Sequence, residues 1–288
     1  MATDLRQVLA VATDRLRAAG VDSPRNDAEV LAAHVLGCRR GALLLAEIDP
    51  EQARRYAELV DERAHRVPLQ HLTGVAGFRH LDLAVGPGVF VPRPETEQLA
   101  GWGLSVLDGG APVVVDLCAG SGALALAVAN EWPGARVYAV ERSAYAVAWA
   151  GRNAEHQASR GDTPITLVHG DATDPEVLRE LDGTVDLVLT NPPYVPDGST
   201  VAPEVAEHDP PEALWGGPDG LDVVRALVRR AAALLRPGGH LGIEHADSQG
   251  TAVPRVVRQA GGWTGIEDHR DLAGRDRFTT ARRGTMAP

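Results

Sequence analysis

Thr190-Asn191-Pro192-Pro193-Tyr194 combines residue types that could grip a planar nitrogen group. Asn191 brings a carboxamide, two successive prolines fix the backbone and hold its carbonyls in place, and Tyr194 adds an aromatic face. An amide or ring-bound NH₂ is a poor nucleophile because its lone pair is delocalised. Hydrogen bonds from that NH₂ to the Asn191 side-chain oxygen and the Pro192 carbonyl would orient the nitrogen toward an electrophile. They would also favour pyramidal character and suit the positive charge that builds during transfer. Tyr194 would pack on the planar group, and Pro193 joins the same grip. Such chemistry needs no metal, no covalent intermediate and no prior deprotonation; a proton need only leave afterwards. The segment also reads as an ordinary strand exit punctuated by proline, so the rest of the chain has to decide.

A second cluster suggests the electrophile. Gly120-Ser121-Gly122-Ala123-Leu124-Ala125 fits the relaxed pattern G-x-G-x-x-G/A, and Glu141 follows Gly120 by 21 residues, where a carboxylate can accept both ribose hydroxyl protons. Asp116 stands ahead of these glycines, with Cys118 and Ala119 leading into them. An acid there repels a pyrophosphate but suits an ammonium group. S-adenosylmethionine carries an α-amino group, a sulfonium and no phosphate, so the placement favours this methyl donor over NAD. Asp171 could accept from an adenine amine with Ala172 against the ring, or the two could simply cap a loop.

These residues need a scaffold that gathers them. From Ala111 onward the pattern is strand, Gly-rich turn, helix, repeated: strands at Val113 to Leu117, Arg136 to Val140, Ile165 to Val168, Val185 to Leu189 and His240 to Glu244. Helices alternate with them, at Ala123 to Asn130, Ala144 to Ala158 and Leu221 to Leu235, the last stopped by Arg236-Pro237-Gly238-Gly239. This specifies an α/β fold with a doubly wound parallel sheet, whose ligands bind at the carboxyl ends of strands where the order reverses. Thr264 to Glu267 and Phe278 to Arg282 read as two more short strands, and Gly284 to Pro288 as a frayed tail.

Ahead of the sheet, residues 1–75 read as a small all-helical domain. Its helices are Asp4 to Ala19, Ser23-Pro24 to Leu36 and Glu51 to Arg66, ended or started by Gly20, Gly37 and Asp49-Pro50. Residues 76–94 read as a β-hairpin connector with strands at Leu81 to Val85 and Val89 to Val91, and residues 95–288 as the catalytic domain. Val91-Pro92-Arg93-Pro94-Glu95-Thr96-Glu97 opens a helix toward Leu107. Arg93 and Glu95 read as ordering that connector, and His208 and His245 as surface or loop-structuring residues.

Composition removes other chemistries. All 28 basic residues are arginine, which excludes a lysine Schiff base and a Gly-Lys-Ser/Thr phosphate loop. Two cysteines 80 positions apart make neither a disulfide scaffold nor a zinc site. The net charge of −11 falls almost wholly after residue 75, where 28 acids face 18 arginines, so broad contact with nucleic acid is not expected. No apolar run approaches membrane-spanning length, and the expectation is a cytoplasmic monomer.

Asn191-Pro192-Pro193-Tyr194 resembles the signature of class I methyltransferases that modify planar NH₂ groups on adenine, cytosine or glutamine. Further segments resemble the HemK/PrmC family of protein-(glutamine-N5) methyltransferases: Arg25 to Glu29, Pro68 to Gly74, Val91 to Glu97, Glu207 to Pro210, Gly216 to Leu221, Gly242 to His245 and Asp271 to Arg277. The resemblance spans nearly the whole chain in order. It implies a Rossmann-like methyltransferase domain, S-adenosylmethionine as cofactor with S-adenosylhomocysteine as product, and class I peptide chain release factors as protein substrate through the glutamine of their Gly-Gly-Gln loop. By that resemblance Cys118 to Gly122 line the donor's methionine part, Glu141 its ribose and Asp171 with Ala172 its adenine, while Asn191 to Tyr194 hold the glutamine amide. Glutamine on a ribosomal protein, adenine in nucleic acid, and non-catalytic cofactor binding are the competing readings. One departure stands out: Cys118 replaces the first glycine of the family's loop, tolerable if that residue need not adopt positive φ.

Overall fold

The computed structural model describes residues 4–285 and forms two compact units. The end of the expected tail, Met286 to Pro288, lies outside the described residues. Among those described, no helix is long and apolar enough to cross a membrane.

The first unit holds the chain up to Val75 together with Val201–His208, a segment that sequence alone assigned to the catalytic domain. Its helices are α1 (Leu5–Ala18), α2 (Pro24–Leu36), α3 (Pro50–Ala64) and the short α4 (Leu69–Thr73). Asp49 and Gln52 form a capping box that starts α3: the Asp49 carboxylate accepts from the Gln52 N–H at 2.8 Å, and Gln52 Oε1 accepts from the Asp49 N–H at 3.0 Å. Ser23 precedes α2 without making a side-chain cap; Pro24 at the first position and Gly37 in the left-handed region define that helix instead. Leu16, Leu31, Ile48, Tyr56 and Val60 fill the core, and the buried Tyr56 hydroxyl donates to the Ala28 carbonyl at 3.0 Å. Beside them Arg63 is buried between two acids, with Nε 2.8 Å from Asp27 and Nη2 2.9 Å from Glu204; Arg66 also reaches Glu204, at 2.8 Å.

The second unit opens with a hairpin of β1 (Val75–Phe78) and β2 (Leu81–Ala84). It lies earlier in the chain than the sequence suggested, and Val89 to Val91 form no strand. Pro87 and Pro92 flank that run and lack the N–H groups a ladder needs, so Val89 and Val91 are buried by packing with Val85 and Ala146 instead. The following helix, α5 (Thr96–Val106), starts beyond the prolines. Then come β3 (Val113–Leu117), α6 (Ala123–Glu131), β4 (Arg136–Glu141), α7 (Ala144–Ser159), β5 (Thr166–His169) and β6 (Val185–Thr190). Helix α8 (Pro203–His208) belongs to the first unit; after it the second unit continues with α9 (Asp222–Leu234), β7 (Leu235–Glu244), α10 (Ala252–Ala260), β8 (Trp263–Arg270) and β9 (Asp276–Arg283).

The seven-stranded sheet runs β5-β4-β3-β6-β7-β9-β8. Strands β3 to β7 are parallel, while β9 pairs antiparallel with β7 and β8, giving a mixed sheet. β7 also begins earlier than the glycines suggested: Leu235 already pairs with Val185, and a register shift absorbs Arg236 to Gly239. Every residue of β3 is buried, as is each from Ala123 to Ala129, so α6 is apolar on all sides because the fold covers it on all sides.

Candidate active site

Strand order reverses between β3 and β6, whose carboxyl ends lie side by side with Leu117 opposite Thr190. The two sequence clusters therefore meet at one end of the sheet: Asp116 near the end of β3 with Cys118 to Gly122 after it, and Asn191 to Tyr194 after β6. Glu141 ends the adjacent β4, with Asp171 and Ala172 beyond β5.

The loop after β3 has three left-handed residues: Cys118 at φ +66°, Gly120 at +57° and Gly122 at +87°. Cys118 thus does adopt the conformation that its β-carbon disfavours, a cost of about 1–2 kcal/mol. Burial, with Glu141 and Asp116 nearby, pushes its thiol pKa well up, which disfavours the thiolate that a nucleophile needs. Glu141 braces the loop, accepting from the Gly120 N–H and the Ser143 N–H, each at 2.8 Å. Those bonds use two of about four acceptor sites on a carboxylate, leaving capacity for hydroxyl groups. Asn153 of α7 ties the hairpin to the same loop, donating to the Ser121 and Ala84 carbonyls at 3.0 Å and accepting from the Ala84 N–H at 2.8 Å. Sequence reasoning missed it, although Ala146, Ala150, Asn153 and Gln157 share one buried helical stripe.

Asp116 is 1% exposed, and burial pushes its pKa up to about 8 despite a hydrogen bond from the Ala125 N–H at 3.1 Å. Its other oxygen, Oδ1, is buried without a hydrogen-bond partner. A buried acceptor of that kind fits an ammonium group. A β-carbon on Gly120 would meet no protein atom within 4 Å, so the glycine loop leaves room for a ligand's backbone approach. These residues fit an amino-acid-bearing nucleoside such as S-adenosylmethionine. Asp171 Oδ1 accepts from both the N–H and the hydroxyl of Thr173, at 2.8 and 2.7 Å, the loop-capping arrangement considered above, and this draws its pKa down. Ala172 is 5% exposed and packs in the core with Leu117 and Val140.

At the β6 end, Asn191 Nδ2 donates to the Thr96 hydroxyl at 3.2 Å, and the Tyr194 hydroxyl donates to Glu244 Oε1 at 3.4 Å. Burial raises the Tyr194 pKa and brings that of Glu244 up to about 7. Gln249 Nε2 donates to the Tyr194 carbonyl at 3.0 Å. The glycines of 216–221 back this segment closely: a β-carbon on Gly216 would sit 2.7 Å from the Pro193 oxygen, and one on Gly220 would collide with the Tyr194 oxygen. Thr96, Glu244, Gly216 and Gly220 all lie in segments that stood out in the sequence, yet their roles emerge only from the packing. Trp215 bridges to Val195 at the base of the intervening loop. Arg93 pairs with Asp209 at 2.7 Å and stacks over Phe90, an ordering role. His245 is fully buried rather than at the surface, bound to Asp268 at 2.8 Å, and fixes the end of β7 to β8.

Comparison with known proteins identifies the family. The PrmC N-terminal domain matches residues 7–74 and the methyltransferase small domain residues 104–208. A 16S rRNA methyltransferase of T. thermophilus, solved with AdoMet and guanosine, shares the fold with a TM-score of 0.52 at 23% identity, over 73% of this chain and 49% of that one. A 4-amino-L-phenylalanine/4-methylamino-L-phenylalanine methyltransferase of Streptomyces pristinaespiralis is 42% identical, covering 100% of this chain and 98% of its own. The release factor glutamine methyltransferase of Mycolicibacterium smegmatis is 49% identical over 282 residues, 98% of each chain. With a class I methyltransferase sheet, a PrmC-type helical region and identity at this level end to end, the chain belongs to the release factor glutamine methyltransferase family.

Proposed function

We propose that the chain transfers a methyl group from S-adenosylmethionine to the side-chain amide nitrogen of the glutamine in the Gly-Gly-Gln motif of class I peptide chain release factors. The observation that carries the reading is the pairing, at one end of the sheet, of a buried unpartnered Asp116 oxygen with the Asn191 to Tyr194 segment. The cofactor supplies a methyl on a positively charged sulfur. Asp116 receives its ammonium group, Cys118 to Gly122 line its amino-acid part, Glu141 takes the ribose hydroxyls, and Asp171 with Ala172 adjoins the adenine. Asn191 Oδ1 and the Pro192 carbonyl accept from the substrate NH₂, while Pro193 and Tyr194 flank its plane. These acceptors are set before the reaction and best complement the nitrogen as it turns pyramidal and positive. The proton leaves afterwards. The helical unit and the hairpin recognise the body of the release factor, and the enzyme acts as a cytoplasmic monomer without binding nucleic acid.

The test is methyl mapping. The protein is incubated with radiolabelled cofactor and, separately, purified release factor, ribosomes, DNA or 4-amino-phenylalanine. The arylamine arm matters because one relative is named for that planar amine. Label on the Gly-Gly-Gln glutamine is expected, and label on one of the other acceptors alone would replace this reading. Asn191→Ala should lower kcat by about 10²-fold or more while binding S-adenosylhomocysteine within threefold of wild type.

A further inference from the structure

Asn191 can serve the reaction in only one of its two amide orientations, and the fold contains a device that selects it. The carboxamide is nearly symmetric in shape, but flipping it exchanges an acceptor for a donor. With Oδ1 toward the substrate it accepts from the NH₂. With Nδ2 there, two donors would face each other. Asn191 Nδ2 donates to Thr96 Oγ1 at 3.2 Å, so its amide already points the productive way.

Thr96 alone would not enforce this, since a hydroxyl both donates and accepts. It is 4% exposed, which leaves water little access, and its hydroxyl interacts with the carboxylate of Glu244, itself 2% exposed. An ionised carboxylate only accepts. Glu244 Oε2 is buried without a hydrogen-bond partner, so it is an acceptor for the Thr96 proton, and the Thr96 oxygen is left to receive the Asn191 NH₂. Register places the two strand ends together: Thr190 lies opposite Ile243, so Asn191 and Glu244 follow on adjacent strands. Glu244 also receives the Tyr194 hydroxyl, at 3.4 Å. One buried carboxylate thus reaches both Asn191, through Thr96, and Tyr194.

We propose that Glu244 is a positioning residue which, through Thr96, fixes the amide orientation of Asn191 and, directly, the ring of Tyr194, so that the site presents an acceptor to the substrate nitrogen. The inference rests on the assignment of Asn191 as the amide-holding residue. It also sets a pH condition. The groups facing Glu244 are Thr96 and Glu95 at the start of α5, Tyr194 after β6, and Arg277 on β9. Burial outweighs the favourable Thr96, Arg277 and Tyr194 contacts and holds the carboxyl near 7, so the one-way relay is complete only as pH rises through that value.

The experiment measures kcat, substrate KM and S-adenosylhomocysteine affinity for wild type, Asn191→Ala, Thr96→Val, Thr96→Ser and Glu244→Gln. A glutamine at 244 can donate to Thr96 as well as accept, so the direction of the relay is lost. Glu244→Gln and Thr96→Val are expected to lower kcat by about 10–100-fold, with cofactor affinity within threefold of wild type. Thr96→Ser restores the hydroxyl and should recover most of the rate lost in Thr96→Val. At saturating substrates the wild-type kcat should rise with pH through an apparent pKa near 7, and this limb should be absent in Glu244→Gln. If Thr96→Val or Glu244→Gln keeps its rate while Asn191→Ala is inactive, the positioning role is overturned and the site stands. If Asn191→Ala also keeps its rate, the underlying assignment fails.

Discussion

The proposed contact of Asp116 with the cofactor's ammonium group would couple cofactor binding to proton release. Without ligand its carboxyl is held up to about 8 by burial, so at pH 6 to 7 it is largely protonated. An ammonium group beside Oδ1 requires the ionised form. Binding of S-adenosylhomocysteine should then release close to one proton at pH 6.5, less as pH approaches 8, and affinity should strengthen over the same interval. At higher pH the ligand's own amine loses its charge and the trend should reverse. Calorimetry in buffers of different ionisation heat reads this directly; Asp116→Asn should abolish the release, and an unchanged proton count in that variant would remove Asp116 from the ammonium site. Cys118 gives a second residue-level test. Alanine there keeps the left-handed strain and loses the sulfur contacts, whereas glycine relieves the strain. Cys118→Gly should therefore be more stable than Cys118→Ala by about 1 kcal/mol in urea unfolding, opposite to the usual order of those residues.

The elements that carry the site were largely legible, because each has a periodic apolar pattern and a clear stop. β3 and β6 read as buried runs, and the Gly-rich turn and Asn191 to Tyr194 fall where those runs end. Less legible were features that depend on neighbours. The hairpin was displaced because Val89 and Val91 are apolar and alternate, yet prolines deny them a ladder. β7 starts before its glycines because Val185 offers Leu235 a partner. The glycines of 216–221 looked like a loop signal, but two of them are close-packing positions against the Pro193 and Tyr194 carbonyls. A controlled pair of variants separates these meanings. Gly198 and Gly220 have nearly equal φ, +77° and +74°, so alanine adds similar backbone strain to each, of the order of 1 kcal/mol. Only at Gly220 does the new carbon collide with the Tyr194 oxygen. Gly198→Ala should keep kcat, while Gly220→Ala should lose at least tenfold in kcat and a further 2 kcal/mol or so of stability. Equal rates in the two would mean that the turn can shift without disturbing the site.

At the scale of the whole molecule, contacts between residues far apart in sequence were hidden from a reading along the chain. Such a reading has no means of pairing Asp27, Arg63 and Glu204, which span most of the distance from the first helix pair to the loop beyond β6. Arg63 has a side chain only 6% exposed, and both acids compensate its charge. Removing one partner of a buried pair costs more than the pair contributes, because the remaining charge stays desolvated. The two acids are not equivalent. Asp27 is as buried as Arg63, at 7%, whereas Glu204 is 26% exposed and anchors Val201–His208 to the helices through Arg63 and Arg66 together. Asp27→Ala should therefore destabilise the helical unit by about 3 kcal/mol, and amides of α2 and α3 should exchange hydrogen faster. Glu204→Ala leaves Arg63 paired with Asp27 and should cost nearer 1 kcal/mol, with faster exchange confined to 201–208. Hydrogen exchange mapped by mass spectrometry distinguishes the two patterns. Equal protection of 201–208 in wild type and Glu204→Ala would show that the segment is held by something other than its ion pairs.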